Sequence, residues 1–373
     1  MRKMLIINPA LAPYRIDTYN KLAESFDLKV IFLQANLKAN LFDVGELQKQ
    51  TRFKYSYFLR GFTILRKHFR LGILNEIKKN KPDIVVGYEY SPITIWLIVI
   101  RKIYGFKYKL ASAIDDNIEI CNKPRSFLRG ISRSLCLTQL DYLVLLSKEV
   151  ADWYNIRKNI DLENIIISPI VHNPQKFTIY REELQDIARS YVTTYNLSNK
   201  KVILFVGRFV VEKGLKYFIE LIPEIIKSEK NIYIVLIGNG IEKEAIEKMV
   251  IEYNISQYVL MPGRFEHLAL YAWYKIANVF MLPSINETFG AVVNESLIFG
   301  TPVICSQYAG ASTLIKKNHQ GILIDPFDKS SFLSNTLKFL SKIEIQSNLN
   351  FNAKENLMIG EFNELLSDWE RLQ

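Results

Sequence analysis

The sequence predicts an α/β protein built from two parallel-sheet domains. Its 373 residues exceed what one hydrophobic core usually supports, so at about 150 residues per domain two are expected. Short β-branched and aliphatic runs alternate with longer amphipathic stretches along the whole chain, the pattern of βαβ units. The alternation occurs twice, with six candidate strands in each half. Hydrophobic residues at 49% and charged ones at 23% are ordinary for a globular chain, and no segment is of low complexity.

In the first half the strands are expected over residues 4–8, 28–33, 83–88, 108–114, 142–146 and 165–170. In the second they are expected over 202–206, 232–237, 258–261, 279–282, 302–305 and 321–324. Between the halves stands His172-Asn173-Pro174, followed by a charged helical stretch from Arg181 and the polar run 196–201. The boundary is therefore set near Asn173, giving a first domain over 1–173 and a second over 174–353. Residues 354–373 carry Leu357, Phe362, Leu365, Leu366 and Trp369 at near-helical spacing, which predicts a C-terminal helix packing back on the first domain.

Several function classes are disfavoured by composition. Cys121, Cys136 and Cys305 are widely spaced with no CxxC and no neighbouring His, so neither a zinc site nor a disulfide framework is expected, and a reducing cytosol fits. The apolar run after Met1 is too short for a signal-peptide core. The longest apolar run, residues 93–100, is far below the ~20 residues of a spanning helix. A cytoplasmic protein is expected, with peripheral attachment at the inner face of the cell membrane left open.

The net charge of +10 sits in the first half, most of it between Thr51 and Arg133. There Lys54, Arg60, Arg66, Lys67, Arg70, Arg101, Lys102, Arg125, Arg129 and Arg133 alternate with Phe58, Phe62, Phe69, Trp96 and Phe127. Such a window suits phosphate-bearing ligands or an anionic membrane surface. Nucleic acid is not expected as a partner, because no recognised binding motif accompanies the charge. A solvated basic face over core aromatics is the plain alternative.

In open parallel sheets ligands sit beyond the carboxyl ends of the strands. The strand over 202–206 ends in Gly207-Arg208, with Lys213-Gly214 following before an apolar-periodic helix. Arginine offers a planar fork of donors and lysine a point charge, together suited to a diphosphate. The strand over 232–237 ends in Gly238-Asn239-Gly240, where the lack of side chains permits a tight turn or a ligand's close approach. The strand over 279–282 runs into Pro283-Ser284-Ile285-Asn286-Glu287-Thr288-Phe289-Gly290 and then a nearly all-apolar helix from Ala291 to Phe299. Glu295 within that helix needs hydrogen-bond partners, because burying a bare carboxylate is costly. Gly290 leaves first-turn backbone donors open to an anion. The alternative is that Glu287 caps the helix and Glu295 pairs with a buried arginine.

Together these residues resemble the C-terminal half of glycosyltransferase family 4, the retaining GT-B enzymes. The resemblance rests on Gly207-Arg208, Lys213-Gly214, Gly238-Asn239-Gly240, Pro283-Ser284, Glu287, Phe289-Gly290, Glu295 and Gly300-Thr301-Pro302-Val303-Ile304, over residues 201 to about 328. The opening Asn8-Pro9-Ala10-Leu11-Ala12-Pro13-Tyr14-Arg15 resembles a bacterial surface-polysaccharide branch. The resemblance implies a GT-B fold, two Rossmann-like domains facing across a cleft. It implies transfer of a sugar from a nucleotide-sugar donor, UDP- or GDP-linked, to a saccharide or lipid-linked acceptor with retention and without a metal or other cofactor.

On this resemblance Arg208 and Lys213 bind the donor diphosphate, Glu295 the ribose hydroxyls, and Glu287 lies near the transferred sugar. Gly207, Gly238, Asn239, Gly240, Thr288, Phe289 and Gly290 complete the donor site, and Gly263 and Arg264 fall where the base is held. The paired-glycine loop many members carry after the first strand is replaced by Ala12-Pro13-Tyr14-Arg15, and the Gly-Gly and Glu after the strand at Val303 by Gly310-Ala311 and Leu314. In the first domain Asp115-Asp116-Asn117 follows a strand, and either Asp would orient the acceptor hydroxyl unless the cluster is a turn or helix cap. His68, His172, His267 and His319 are scattered and read as structural. A sugar-nucleotide epimerase and a catalytically silent GT-B scaffold remain the alternatives.

Overall fold

The computed structural model describes residues 1–36, 43–64, 67–123, 126–229, 231–343, 354–358 and 360–373. The chain forms two compact units, Met1–His172 with Asn363–Gln373, and Asn173–Phe362.

The first unit is a parallel sheet of β1 (Lys3–Asn8), β2 (Asp27–Phe32), β3 (Lys54–Tyr57), β6 (Ile84–Tyr88), β7 (Lys109–Ile114), β8 (Tyr142–Leu145) and β9 (Ile165–Ile167), with a separate hairpin of β4 (Gly61–Ile64) and β5 (Lys67–Arg70). The sheet order is β3-β2-β1-β6-β7-β8-β9, so the chain's direction across the sheet reverses between β1 and β6. The central strands are apolar at nearly every position because helices cover both faces of such a sheet. β3 and the hairpin were not expected from the sequence. Their residues, Lys-Tyr-Ser-Tyr in β3 and Lys-His-Phe-Arg in β5, are polar or half-buried and lack the continuous apolar run of the inner strands.

The second unit has a six-stranded parallel sheet of β10 (Lys201–Val206), β11 (Ile232–Ile237), β12 (Val259–Gly263), β13 (Val279–Leu282), β14 (Val303–Ser306) and β15 (Gly321–Ile324). Its order β12-β11-β10-β13-β14-β15 places the reversal between β10 and β13. All six residues of β10 are buried, and its core joins Phe205, Phe209, Phe218 and Met281 with Phe332 and Leu340 of the helix Lys329–Leu340.

The expected C-terminal helix is corrected. Among the described residues of that stretch, helical structure is Glu361–Leu365 and a 3-10 segment, Ser367–Leu372. The apolar stripe serves two units rather than one helix. The Leu357 amide donates to the Leu297 carbonyl of the second unit, whereas Trp369 donates from Nε1 to Ser168 Oγ at 2.9 Å and Asp368 accepts from the Ile167 amide at 2.8 Å in the first. Gly360, with φ of 79°, turns the chain between the two stretches.

The cysteines are free and buried. Among the described residues no helix is long and apolar enough to cross a membrane.

Candidate functional site

The second unit gathers the sequence-predicted donor residues at the carboxyl ends of its strands. β10 and β13 flank the sheet's reversal, where connecting chain departs to opposite faces and leaves a crevice. Gly207, Arg208 and Lys213 follow β10, while Glu287, Thr288, Phe289 and Gly290 follow β13. Lys213 Nζ pairs with Glu287 Oε2, tying one loop to the other across that crevice. Both side chains are about 15% exposed, so the pair is shielded yet open on one side. Ser284 Oγ also donates to Glu287, at 3.5 Å. Glu287 therefore anchors a lysine; the helix N-cap is Gly290, which carries no side-chain cap.

Gly214 explains how the lysine loop comes so close. Its φ is 65°, and a Cβ there would lie 2.0 Å from the Pro283 carbonyl oxygen, so only glycine lets the two loops touch. A second brace is the loop after β14. The Ala311 amide donates to the Phe289 carbonyl at 2.7 Å, and the Gly310 amide to that of Glu287 at 3.3 Å. Gly310-Ala311 thus supports the glutamate loop through its backbone, a role no side-chain motif reports.

Helix Ala291–Ile298 buries Val293, Asn294, Ser296, Leu297 and Ile298. Ala291, Val292 and Glu295 stay partly exposed on one face, the spacing i, i+1, i+4 of a single helical side. Tyr274, fully buried on the neighbouring helix His267–Ile276, donates its hydroxyl to Glu295 Oε2 at 2.7 Å. The carboxylate is thus held by a phenol from the neighbouring helix. Burial holds the Tyr274 hydroxyl well above the usual tyrosine range, and the Glu295 charge adds to it, so this phenol stays a donor. Sequence reasoning missed Tyr274, because a tyrosine within an apolar helix carries no motif.

Arg208 stands exposed at the edge of the crevice. Gly238 and Gly240 pack on the first loop's backbone; a Cβ on Gly238 would lie 1.8 Å from the Gly207 carbonyl oxygen. Asn239, between them, accepts from the Phe209 amide through its carbonyl at 2.9 Å. Gly263, with φ of 99° and open space at its Cβ, accepts from the Gly238 amide. Arg264 is exposed and paired with Glu266 on the surface.

Asp115 and Asp116 belong to the first unit, after β7. Asp116 is fully buried, bound by Arg129 at 2.5 Å and by the Tyr154 hydroxyl at 2.8 Å, and Asn117 caps the next helix through the Ile120 amide. These two residues are framework. Asp115 is partly exposed and pairs with Arg15 at 2.5 Å. Arg15 lies on the helix Pro13–Ser25 that follows β1, so the replaced glycine loop begins a helix with Pro13 in its first turn. Glu89, missed in the sequence, follows β6 beside the reversal of this sheet. It accepts from the Asp115 amide at 3.1 Å and pairs with Arg129 at 2.6 Å. Its φ is 55°, and burial raises its carboxyl above the usual range, with Arg129 opposing and Asp115 and Asp116 reinforcing.

Of the histidines, His172 is buried against Asp17 at 2.9 Å, and His267 and His319 are exposed. The His68 side chain lies outside the described residues. Among the described residues no group of three or more His, Cys, Asp or Glu is placed to hold a metal ion.

Residues 194–356 match the family model described as glycosyl transferases group 1. An uncharacterized glycosyltransferase of Methanocaldococcus jannaschii is 30% identical over 57% of this chain and 53% of its own. The 2-deoxystreptamine N-acetyl-D-glucosaminyltransferase of Niallia circulans is 26% identical over 43% of this chain and 42% of its own. The chain thus spans about half the length, or less, of the curated relatives it matches. Solved structures align along nearly the whole chain. HepE of Anabaena, in complex with UDP, has a TM-score of 0.73 at 12% identity, covering 99% of this chain and 98% of that one. WaaG, a glycosyltransferase involved in lipopolysaccharide biosynthesis, has 0.64 at 15%, covering 99% and 98%. The fold is GT-B, with two Rossmann-like parallel-sheet units.

Proposed function

We propose that the chain is a retaining glycosyltransferase of the family 4 type, moving a sugar from a UDP- or GDP-linked donor to a saccharide or lipid-linked acceptor in cell-surface polysaccharide synthesis. The observation that carries the reading is the Lys213–Glu287 pair, which joins the two loops at the reversal of the second sheet, beside the uncapped start of helix Ala291–Ile298. A diphosphate is the ligand such a place suits. Lys213 and the exposed Arg208 supply positive charge, and the helix start supplies oriented N–H groups. Glu295, held by Tyr274, is a fixed acceptor suited to ribose hydroxyls. HepE, of the same fold, holds UDP, in keeping with a UDP-linked donor.

The chemistry then follows from charge. The bond from the anomeric carbon to the diphosphate oxygen breaks as the acceptor oxygen forms its bond on the same face, and the acceptor proton leaves with the departing diphosphate. Negative charge grows on the leaving oxygen, so cations aimed there lower the barrier more than they tighten the ground state. Neither step asks a side chain to act as nucleophile.

A donor assay tests this. The protein is incubated with UDP-, GDP- and ADP-sugars, and nucleotide release is followed with and without saccharide acceptors. Release of nucleotide with a glycoside of unchanged anomeric configuration is the expected outcome. An epimerised donor without free nucleotide would make the chain an epimerase, and no turnover with nucleotide bound would make it a silent scaffold.

A further inference from the structure

Much of the charge in the basic window of the first domain is already paired or buried. Arg101 pairs with Asp141, Arg129 with Glu89 and Asp116, and Lys54 with Asp27. Arg133 is buried against the Cys121 and Ile120 carbonyls, and Arg70 donates to the Leu33 carbonyl. Arg66, Arg125 and the side chain of Lys67 lie outside the described residues. Charge alone therefore does not make a membrane face here.

The apolar surface does. Helix Phe127–Leu137 buries Arg133 and Cys136 but leaves Phe127 83%, Leu128 67%, Ile131 44% and Leu135 59% exposed. It is inverted relative to an ordinary surface helix, which turns its apolar stripe to the core and its charges to water. The adjacent helix Pro92–Tyr104 adds exposed Trp96 and, at its last but one residue, Ile103 at 70%. The two helices touch and share one core cluster. β6, β7 and β8 run in sequence across the sheet, and right-handed crossovers put both helices on the same face of it. Their outer surfaces therefore lie side by side and bring these exposed apolar residues to one face of the unit.

The charges on the two helices themselves are of one sign. Residues 90–114 and 120–140, which contain both helices, have eight lysines and arginines and no Asp or Glu. Lys102, Lys107 and Lys123 are exposed, and Lys78 of the preceding helix, Ile73–Asn80, lies over the Tyr104 ring at 4.3 Å. A second copy of the chain is a poor occupant, because an isologous contact would set these cations against themselves. An anionic bilayer offers apolar depth for Phe127, Leu128, Ile131, Leu135, Trp96 and Ile103 and phosphate for the lysines at their edge.

We infer that the joined outer faces of helices Pro92–Tyr104 and Phe127–Leu137 dock the first unit on an anionic lipid surface, with Phe127 and Leu128 inserted deepest. The inference does not rest on the transfer reaction, and its test reads no turnover. The full chain is floated with vesicles of phosphatidylcholine alone and of equal parts phosphatidylcholine and phosphatidylglycerol, while sedimentation without lipid reports its oligomeric state. The expected result is partition onto the anionic vesicles, weakened by salt, with Trp96 quenched by brominated lipid in the wild type and not in Trp96→Phe. The double variant Phe127→Glu, Ile131→Glu loses partition at least tenfold with an unchanged melting temperature. Should that variant misfold, Lys102→Glu, on an exposed position at a helix end, is expected to lose partition several-fold. Wild type that ignores anionic vesicles overturns the inference, as does a folded double variant that floats like wild type. A lipid-free dimer that the double variant splits, with no vesicle binding, assigns the face to a second copy instead.

Discussion

Arg208 and Lys213 are held in different ways, and this bears on what each contributes. Lys213 is fixed by Glu287, whereas Arg208 stands exposed. Alanine at either position is expected to lower turnover about 10²-fold or more, since on the proposed function each removes charge that acts chiefly on the leaving diphosphate. Steady-state kinetics with the donor found above measure it, and near-normal turnover in both variants removes the assignment. Glu295 and Tyr274 make a second pair. Glu295→Ala should weaken binding of free nucleotide, and Tyr274→Phe, which deletes only the hydroxyl that orients the carboxylate, should weaken it by a smaller factor of about five to ten, the net worth of one ordinary hydrogen bond, because the carboxylate itself remains. Glu287→Ala should leave free-nucleotide affinity nearly intact while lowering turnover. Calorimetric titration separates these cases, and equal affinity in all three variants and the wild type would refute the ribose role. The positions of Arg208, Lys213 and Glu287 after strand ends, and of Glu295 in an apolar helix, were legible because arginine, lysine and glutamate stand out from the apolar residues around them. Tyr274 and Glu89 were not, since what matters about them is the neighbour they face.

At the scale of elements the inner strands could be read from the sequence because a strand buried on both faces is apolar throughout. The edge strand Lys54–Tyr57, half-covered, and the hairpin could not, for they carry a mixed sequence. The C-terminal stripe misled for a related reason. Periodicity reports burial, and the burial came from two units in succession. The glycines of the β11 loop were read as room for a ligand or a tight turn, yet Gly238 meets its neighbouring loop's backbone. With φ of 146° and only 1.8 Å between a built Cβ and the Gly207 oxygen, Gly238→Ala must displace the loop that carries Arg208. A loss of about 2 kcal/mol or more in stability is expected, together with weaker nucleotide binding. Urea unfolding checks the first and titration the second; a variant with the wild-type midpoint would show the loop to be yielding.

The stability of the chain as a whole should carry a pH signature from one buried cation. Lys354, reached after the last helix of the second sheet, turns its ammonium inward to the Ala277 carbonyl and, at 2.9 Å, to Thr301 Oγ1. Burial, reinforced by nearby Lys275, lowers it from the ordinary 10.5 to about 7. The unfolded chain therefore binds this proton where the folded one does not, throughout the interval between those values. The cost is fully in place below about pH 7 and vanishes above the unfolded value, so stability contributed through this site rises with pH across the interval. Other groups titrate over the same range, and the comparison with Lys354→Met removes them, because both proteins share every other site. The wild type should gain melting temperature relative to the variant as pH is raised from neutrality toward 10, with an underlying difference of a few kcal/mol at most. Parallel melting curves across that range would mean that Lys354 keeps its charge when folded, held by the two oxygens strongly enough to outweigh its burial.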